Sequence, residues 1–195
     1  CADEPAFIVN RLLTRFNGAA IASLRDGNDF GEIDTAIRNI GLPMGPFLLF
    51  GLVGLEVALH TAQTLQAAFP DRYEVDDNLE AIVATGEASI YDWSAGGEVF
   101  PSIRDAITVD PDAKPRTEEQ IQQAALEAIA DEARRMIDDG VVADGRDIDT
   151  ALILGAGFPF FLGGICRHLD QIGLSETLFG RPLITKEDGA RETPS

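Results

Sequence analysis

Asn10 is the first residue to ask chemistry of, although a surface position or a structural hydrogen bond is the usual explanation of a helical asparagine from composition alone. It sits in the run Pro5-Ala6-Phe7-Ile8-Val9-Asn10-Arg11-Leu12-Leu13, where a carboxamide interrupts the apolar opening turns of a helix. A buried amide without partners costs about 1 to 3 kcal/mol, so Asn10 is expected to be held by a hydrogen-bond network or by a ligand. His60 and His168 are the only histidines, and either has the titration range of a general base. Neither has an acid at a compelling orienting distance in sequence, although Asp170 lies near His168, and both read as solvated or structural. Asp34 and Asp149 stand in equivalent surroundings. They read as helix-start or packing acids, because paired acid/base work needs two carboxyls close in space. Cys1 and Cys166 form neither a disulfide framework nor a metal-ligand spacing. That suits a reducing compartment, and a cytoplasmic location is expected.

The elements that must position these groups read as helices. Phe7, Ile8, Leu12, Leu13, Phe16, Ala20 and Leu24 recur every three or four residues and trace one apolar face. Asp29 with Glu32 three residues later starts a short helix that stops near Gly41. Pro46 suits the first turn of a long helix running to about Phe69, because a missing N–H costs nothing there. Thr117, with Gln120 as its capping-box partner, opens another helix reaching Asp139, whose stripe is Leu126, Ile129, Ala133, Met136 and Ile137. No alternating run with hairpin turn residues occurs, so no substantial sheet is expected. The stretch Ala151-Leu152-Ile153-Leu154-Gly155-Ala156-Gly157 imitates a strand entering a dinucleotide-binding turn. The third small residue that such a turn needs is replaced by Phe160, Pro159 intervenes, and no acid follows about twenty residues on. Gly155 and Gly157 are therefore expected to end a helix.

Set against itself, the chain repeats. Glu32-Ile33-Asp34-Thr35-Ala36-Ile37 precedes Gly41 and Pro43, and Asp147-Ile148-Asp149-Thr150-Ala151-Leu152 precedes Gly157 and Pro159. Each copy follows a helical stretch closed by Asp-Gly, at Asp26-Gly27 and Asp139-Gly140. This predicts a tandem duplication, with a first helical unit at 1–108, a linker at 109–116 rich in proline and charge, a second unit at 117–185 and a flexible polar tail at 186–195.

Composition bounds the partners. The chain has 195 residues, 45% of them hydrophobic and 25% charged, enough for a real core in one large or two small domains. A formal charge of -18 with no basic stripe repels nucleic acid and anionic membrane surfaces. The longest uncharged apolar run, Ile40 to Leu55, is broken by prolines and glycines and falls short of a bilayer's roughly 20 residues. It is expected to be a buried core helix rather than a membrane span. A start at Cys1 rather than Met suggests a processed or excised polypeptide, with a mature lipoprotein as the disfavoured alternative.

The run around Asn10 resembles the start of the C-terminal helical domain of L-3-hydroxyacyl-CoA dehydrogenases. Gly41-Leu42-Pro43-Met44-Gly45-Pro46-Phe47 and Gly155-Ala156-Gly157-Phe158-Pro159-Phe160-Phe161-Leu162-Gly163-Gly164 extend the resemblance in the family's order. It implies an all-α fold: a tandem duplicated helical domain of the 6-phosphogluconate dehydrogenase C-terminal-like type. It implies NAD-dependent oxidation of 3-hydroxyacyl-CoA to 3-oxoacyl-CoA in fatty acid beta-oxidation, with NAD and the catalytic His-Glu pair supplied by a nucleotide-binding domain that precedes this region. Asn10 then faces the substrate and that histidine as a catalytic residue, while Met44 and Phe47 are weaker substrate-binding candidates near the acyl end of the cleft or a dimer contact. The implied partners are the acyl-CoA substrate, the nucleotide-binding domain of the same polypeptide, and a second subunit in a homodimer or larger complex. This chain alone is expected to be inactive.

In the second copy Gln123 occupies the place of Asn10, so that copy is expected to have lost the site and to act as scaffold. Departures from the family pattern fall at Leu48 and Gly51, where many members carry acids, and at Ser89-Ile90-Tyr91-Asp92-Trp93, where a glycine-rich turn leading into Phe-Tyr is usual. They resemble a divergent branch such as the alpha subunit of a multifunctional fatty acid oxidation enzyme, and they bear on the dimer or interdomain surface. The rival reading is a non-catalytic helical dimerisation or docking module that kept the fold.

Overall fold

The computed structural model describes residues 7–185, so the Cys1 end and the tail from Lys186 lie outside the described residues. The apolar stripe of the first helix, α1 (Ile8–Arg25), buries Leu12, Phe16, Ala20 and Leu24 at four-residue intervals. Phe7 does not join it, because it precedes the helix and stays exposed. The capping box expected at Asp29 and Glu32 forms and starts α2 (Phe30–Asn39). The second capping box, at Thr117 and Gln120, starts α7 (Glu118–Asp138). Gly157 adopts the left-handed conformation and ends α8 (Gly145–Ala156), so the dinucleotide-like run is a helix terminus, as expected.

The single long helix expected from Pro46 to Phe69 is two helices, α3 (Pro46–Val53) and α4 (Leu55–Ala68), bent by 100°. The break is Gly54, whose φ of 98° favours a residue without a Cβ. The bend also overturns the buried-core reading of the apolar run, because Leu52 is 72% exposed beyond α3's packed face. No single helix among the described residues is long and apolar enough to cross a membrane.

The remaining elements complete an all-α body, as the sequence predicts. They are α5 (Asp77–Ala84), α6 (Pro101–Ala106), α9 (Ile165–Gln171) and α10 (Leu174–Phe179). A two-residue antiparallel pair, β1 (Tyr91–Asp92) with β2 (Glu98–Val99), is the only sheet among the described residues. One contiguous core joins Leu12, Phe47 and Ile82 from the first half of the chain to Met136, Ile148 and Leu169 from the second.

The helix-free stretch 107–117 is strapped to this body. Asn28 Nδ2 donates to the Arg116 carbonyl and its Oδ1 accepts from the Arg116 N–H, both at 2.8 Å. Asn78 does the same at Thr108, donating at 3.0 Å and accepting at 2.8 Å. The Asp110 N–H reaches the Arg25 carbonyl, and Arg116 pairs with Asp26. Such reciprocal amide bonds satisfy backbone groups that a connector otherwise leaves to solvent.

Candidate functional site

The α1 motif divides its two polar residues between opposite environments. Arg11, the neighbour of Asn10, points inward and is 1% exposed. Its Nε donates to Glu132 Oε1 of α7 at 2.8 Å, and the ring of Phe69 lies 4.7 Å from its guanidinium carbon. Tyr73 closes the pocket by donating its hydroxyl to the Arg11 carbonyl at 3.3 Å. Burial pushes the Tyr73 phenol well above its ordinary range, and the negative charge of Glu132 reinforces the shift. This pair, 121 residues apart in the chain, locks α1 to α7. Composition gave no signal for it, since Glu132 lies in a helix crowded with exposed charges.

Asn10, expected to be buried, is exposed instead, and its carboxamide has no hydrogen-bond partner among the described residues. It stands at the mouth of an apolar cavity of about 360 Å³, a size within the roughly 300–1,000 Å³ of small-molecule sites. Exposed lining residues, namely Asn10, Pro43, Leu52, Val53 and Gly155, mark the opening. Buried ones, including Leu12, Phe16, Leu126, Ile129 and Leu152, mark the floor. Among the described residues, Asn10 carries the only hydrogen-bonding side chain in the lining, and none of those lining it is charged. The second half therefore supplies part of the wall, through Leu126, Ile129 and Leu152.

Met44 lines the same cavity, from the corner between α2 and α3. Phe47 does not. It is fully buried, edge-on to Phe30 at 4.8 Å between ring centroids, so the substrate contact expected of it is not available in this fold. Gln123, the counterpart of Asn10, faces solvent and donates to Glu127 at 2.7 Å along its own helix. His60 is exposed on α4, and His168 is half-buried on α9, where desolvation lowers its pKa. Neither histidine reaches the cavity.

Asp34 and Asp149 each hold the start of a following helix. Asp34 Oδ1 accepts from the Phe47 N–H at 2.9 Å, and Asp149 Oδ1 accepts from the Cys166 N–H at 2.7 Å. In both places the close approach requires glycine, because a Cβ on Gly45 would overlap the Asp34 carboxyl and one on Gly164 would overlap that of Asp149. Burial raises the pKa of each acid, against the pull of the donated hydrogen bonds. Tyr91 adds a bond from its hydroxyl to Asp34 Oδ2 at 2.7 Å. The altered segment at Ser89 to Trp93 thus packs onto the corner that carries Met44. Ser89 also explains Gly51, since a Cβ there would come within 3.1 Å of the serine Cβ.

The glycine run that imitates a dinucleotide-binding turn closes α8, so it offers no cradle for the phosphates of NAD. No group of three or more His, Cys, Asp or Glu among the described residues could hold a metal ion.

Residues 7–90 match the family described as 3-hydroxyacyl-CoA dehydrogenase, C-terminal domain. The fatty acid oxidation complex subunit alpha of Acinetobacter baumannii (strain SDF) is 32% identical, over 89% of this chain and 26% of its own length. The subunit of the same name from Psychrobacter sp. (strain PRwf-1) is 33% identical, over 90% of this chain and 27% of its own. The chain therefore spans about a quarter of the length of these curated relatives. Among solved structures, 3-hydroxybutyryl-CoA dehydrogenase from Escherichia coli K12 shares the fold, with a TM-score of 0.63 and 22% identity over 93% of this chain and 58% of that one. The resemblance read from the sequence is borne out: the chain carries the helical fold and, across residues 7–90, the sequence pattern of the 3-hydroxyacyl-CoA dehydrogenase C-terminal domain family.

Proposed function

We propose that this chain forms the acyl side of the substrate cleft in a 3-hydroxyacyl-CoA dehydrogenase that oxidises 3-hydroxyacyl-CoA to 3-oxoacyl-CoA with NAD. The observation that carries the reading is an apolar cavity with one carboxamide at its mouth. Asn10 is the catalytic residue of this chain. Its amide donates to the substrate oxygen at C3 as that oxygen becomes a carbonyl, and its own oxygen is free to accept from the partner base. Met44 contacts the acyl group. NAD and the general base belong to a nucleotide-binding domain of the same polypeptide, so this chain by itself is inactive. The setting is a cytoplasmic homodimer or complex; the relatives' name, fatty acid oxidation complex subunit alpha, supports the complex. The matched contacts of Asp34 and Asp149 support a tandem origin, with the two units and linker drawn as in the sequence.

Asn10→Ala in the full polypeptide tests the reading. Turnover is expected to fall on the order of 10²-fold, the scale of losing one donor to a developing oxyanion, while the fold is retained. Unchanged turnover would reject a catalytic Asn10. That outcome would favour a docking module, a second reading supported by the exposed Leu154, Phe160 and Phe161.

A further inference from the structure

The second half of the chain has a use beyond support. Leu126 and Ile129 on α7 and Leu152 on α8 form much of the cavity floor, facing Leu12 and Phe16 of α1 across the boundary between the halves. We propose that these three residues set the acyl chain length that the dehydrogenase accepts. The inference rests on the cleft reading above.

The occupant is the alkyl part of a neutral acyl thioester. Among the described residues no Arg, Lys or His lines the cavity, and the chain carries a net charge of -18. A carboxylate driven inside would meet no counter-charge and would lose its hydration, so a free fatty acid is disfavoured. The lone amide at the mouth instead suits a ligand whose polar atoms stay near the opening while a hydrocarbon chain runs inward. Taking about 30 Å³ for each methylene-sized group, the cavity's 360 Å³ holds on the order of ten. Each buried methylene strengthens binding about fourfold, so preference rises with chain length until the alkyl end reaches the floor.

The test uses the full polypeptide and a series of 3-hydroxyacyl-CoA substrates from short to long. Ile129→Phe fills the floor and is expected to lower the ratio of kcat/KM for long over short chains about tenfold. Leu126→Ala deepens it and is expected to move the preferred length upward. If either variant, folded by circular dichroism and Tm, keeps the wild-type chain-length profile, the inference is overturned. The opposed volume changes keep the test decisive should one variant fail to fold. Asn10→Ala, run alongside, separates the two claims. Its loss of turnover with an unmoved length profile in the floor variants defeats the length inference alone, whereas normal turnover by Asn10→Ala defeats the cleft reading.

Discussion

Asn10 and Arg11 are adjacent in sequence, yet one meets solvent at a cavity mouth and the other is sealed between two helices. Successive helical residues are separated by about 100°, so a motif with two polar neighbours leaves open which of them is buried. The apolar surroundings in sequence predict a buried amide, whereas the structure buries the guanidinium, whose fixed charge finds Glu132 and the face of Phe69. Removing one partner strands a charge in the core. Arg11→Met or Glu132→Leu alone is therefore expected to cost about 3–5 kcal/mol in urea unfolding, while the double substitution recovers most of the loss. Strictly additive losses would show that the pair is not coupled.

At the scale of elements, caps and stripes were legible because their signals are local. Asp29 with Glu32 and Thr117 with Gln120 each place two partners within a single turn. The break in the run after Pro46 was not legible, since a glycine inside an apolar helical pattern reads equally well as a tolerated residue. Only its positive φ turns Gly54 into a corner, and that corner leaves Leu52 and Val53 lining the cavity instead of continuing a buried rod. Glycine-to-alanine substitutions should consequently differ in sign. Gly54→Ala forces a Cβ into φ 98° and is expected to destabilise by about 1–3 kcal/mol. Gly18→Ala, in the exposed middle of α1 with nothing within 4 Å of the new Cβ, is expected to stabilise by about 0.5–1 kcal/mol. Guanidinium unfolding midpoints moving the same way in both variants would contradict this assignment of the corner.

Across the whole molecule, the sequence disclosed the helical class and the resemblance, but not the cavity that Met44 lines. A space enclosed by α1, α3, α7 and α8 has no signature in any one segment, because its lining residues look like ordinary core stripe until the halves are packed. Gln123 faces solvent, whereas Leu126, one turn further along the same helix, lines the cavity. The straps at Asn28 and Asn78 fix both ends of the connector to the first half of the chain. Whether Asn10 and the cavity hold substrate is decided by a crystal structure of the full polypeptide with a bound 3-hydroxyacyl-CoA. The C3 oxygen is expected about 3 Å from the Asn10 amide, with the alkyl chain lying between α1 and the two helices of the second half. An alkyl chain seated elsewhere, with the Asn10 amide turned to water, would contradict that placement.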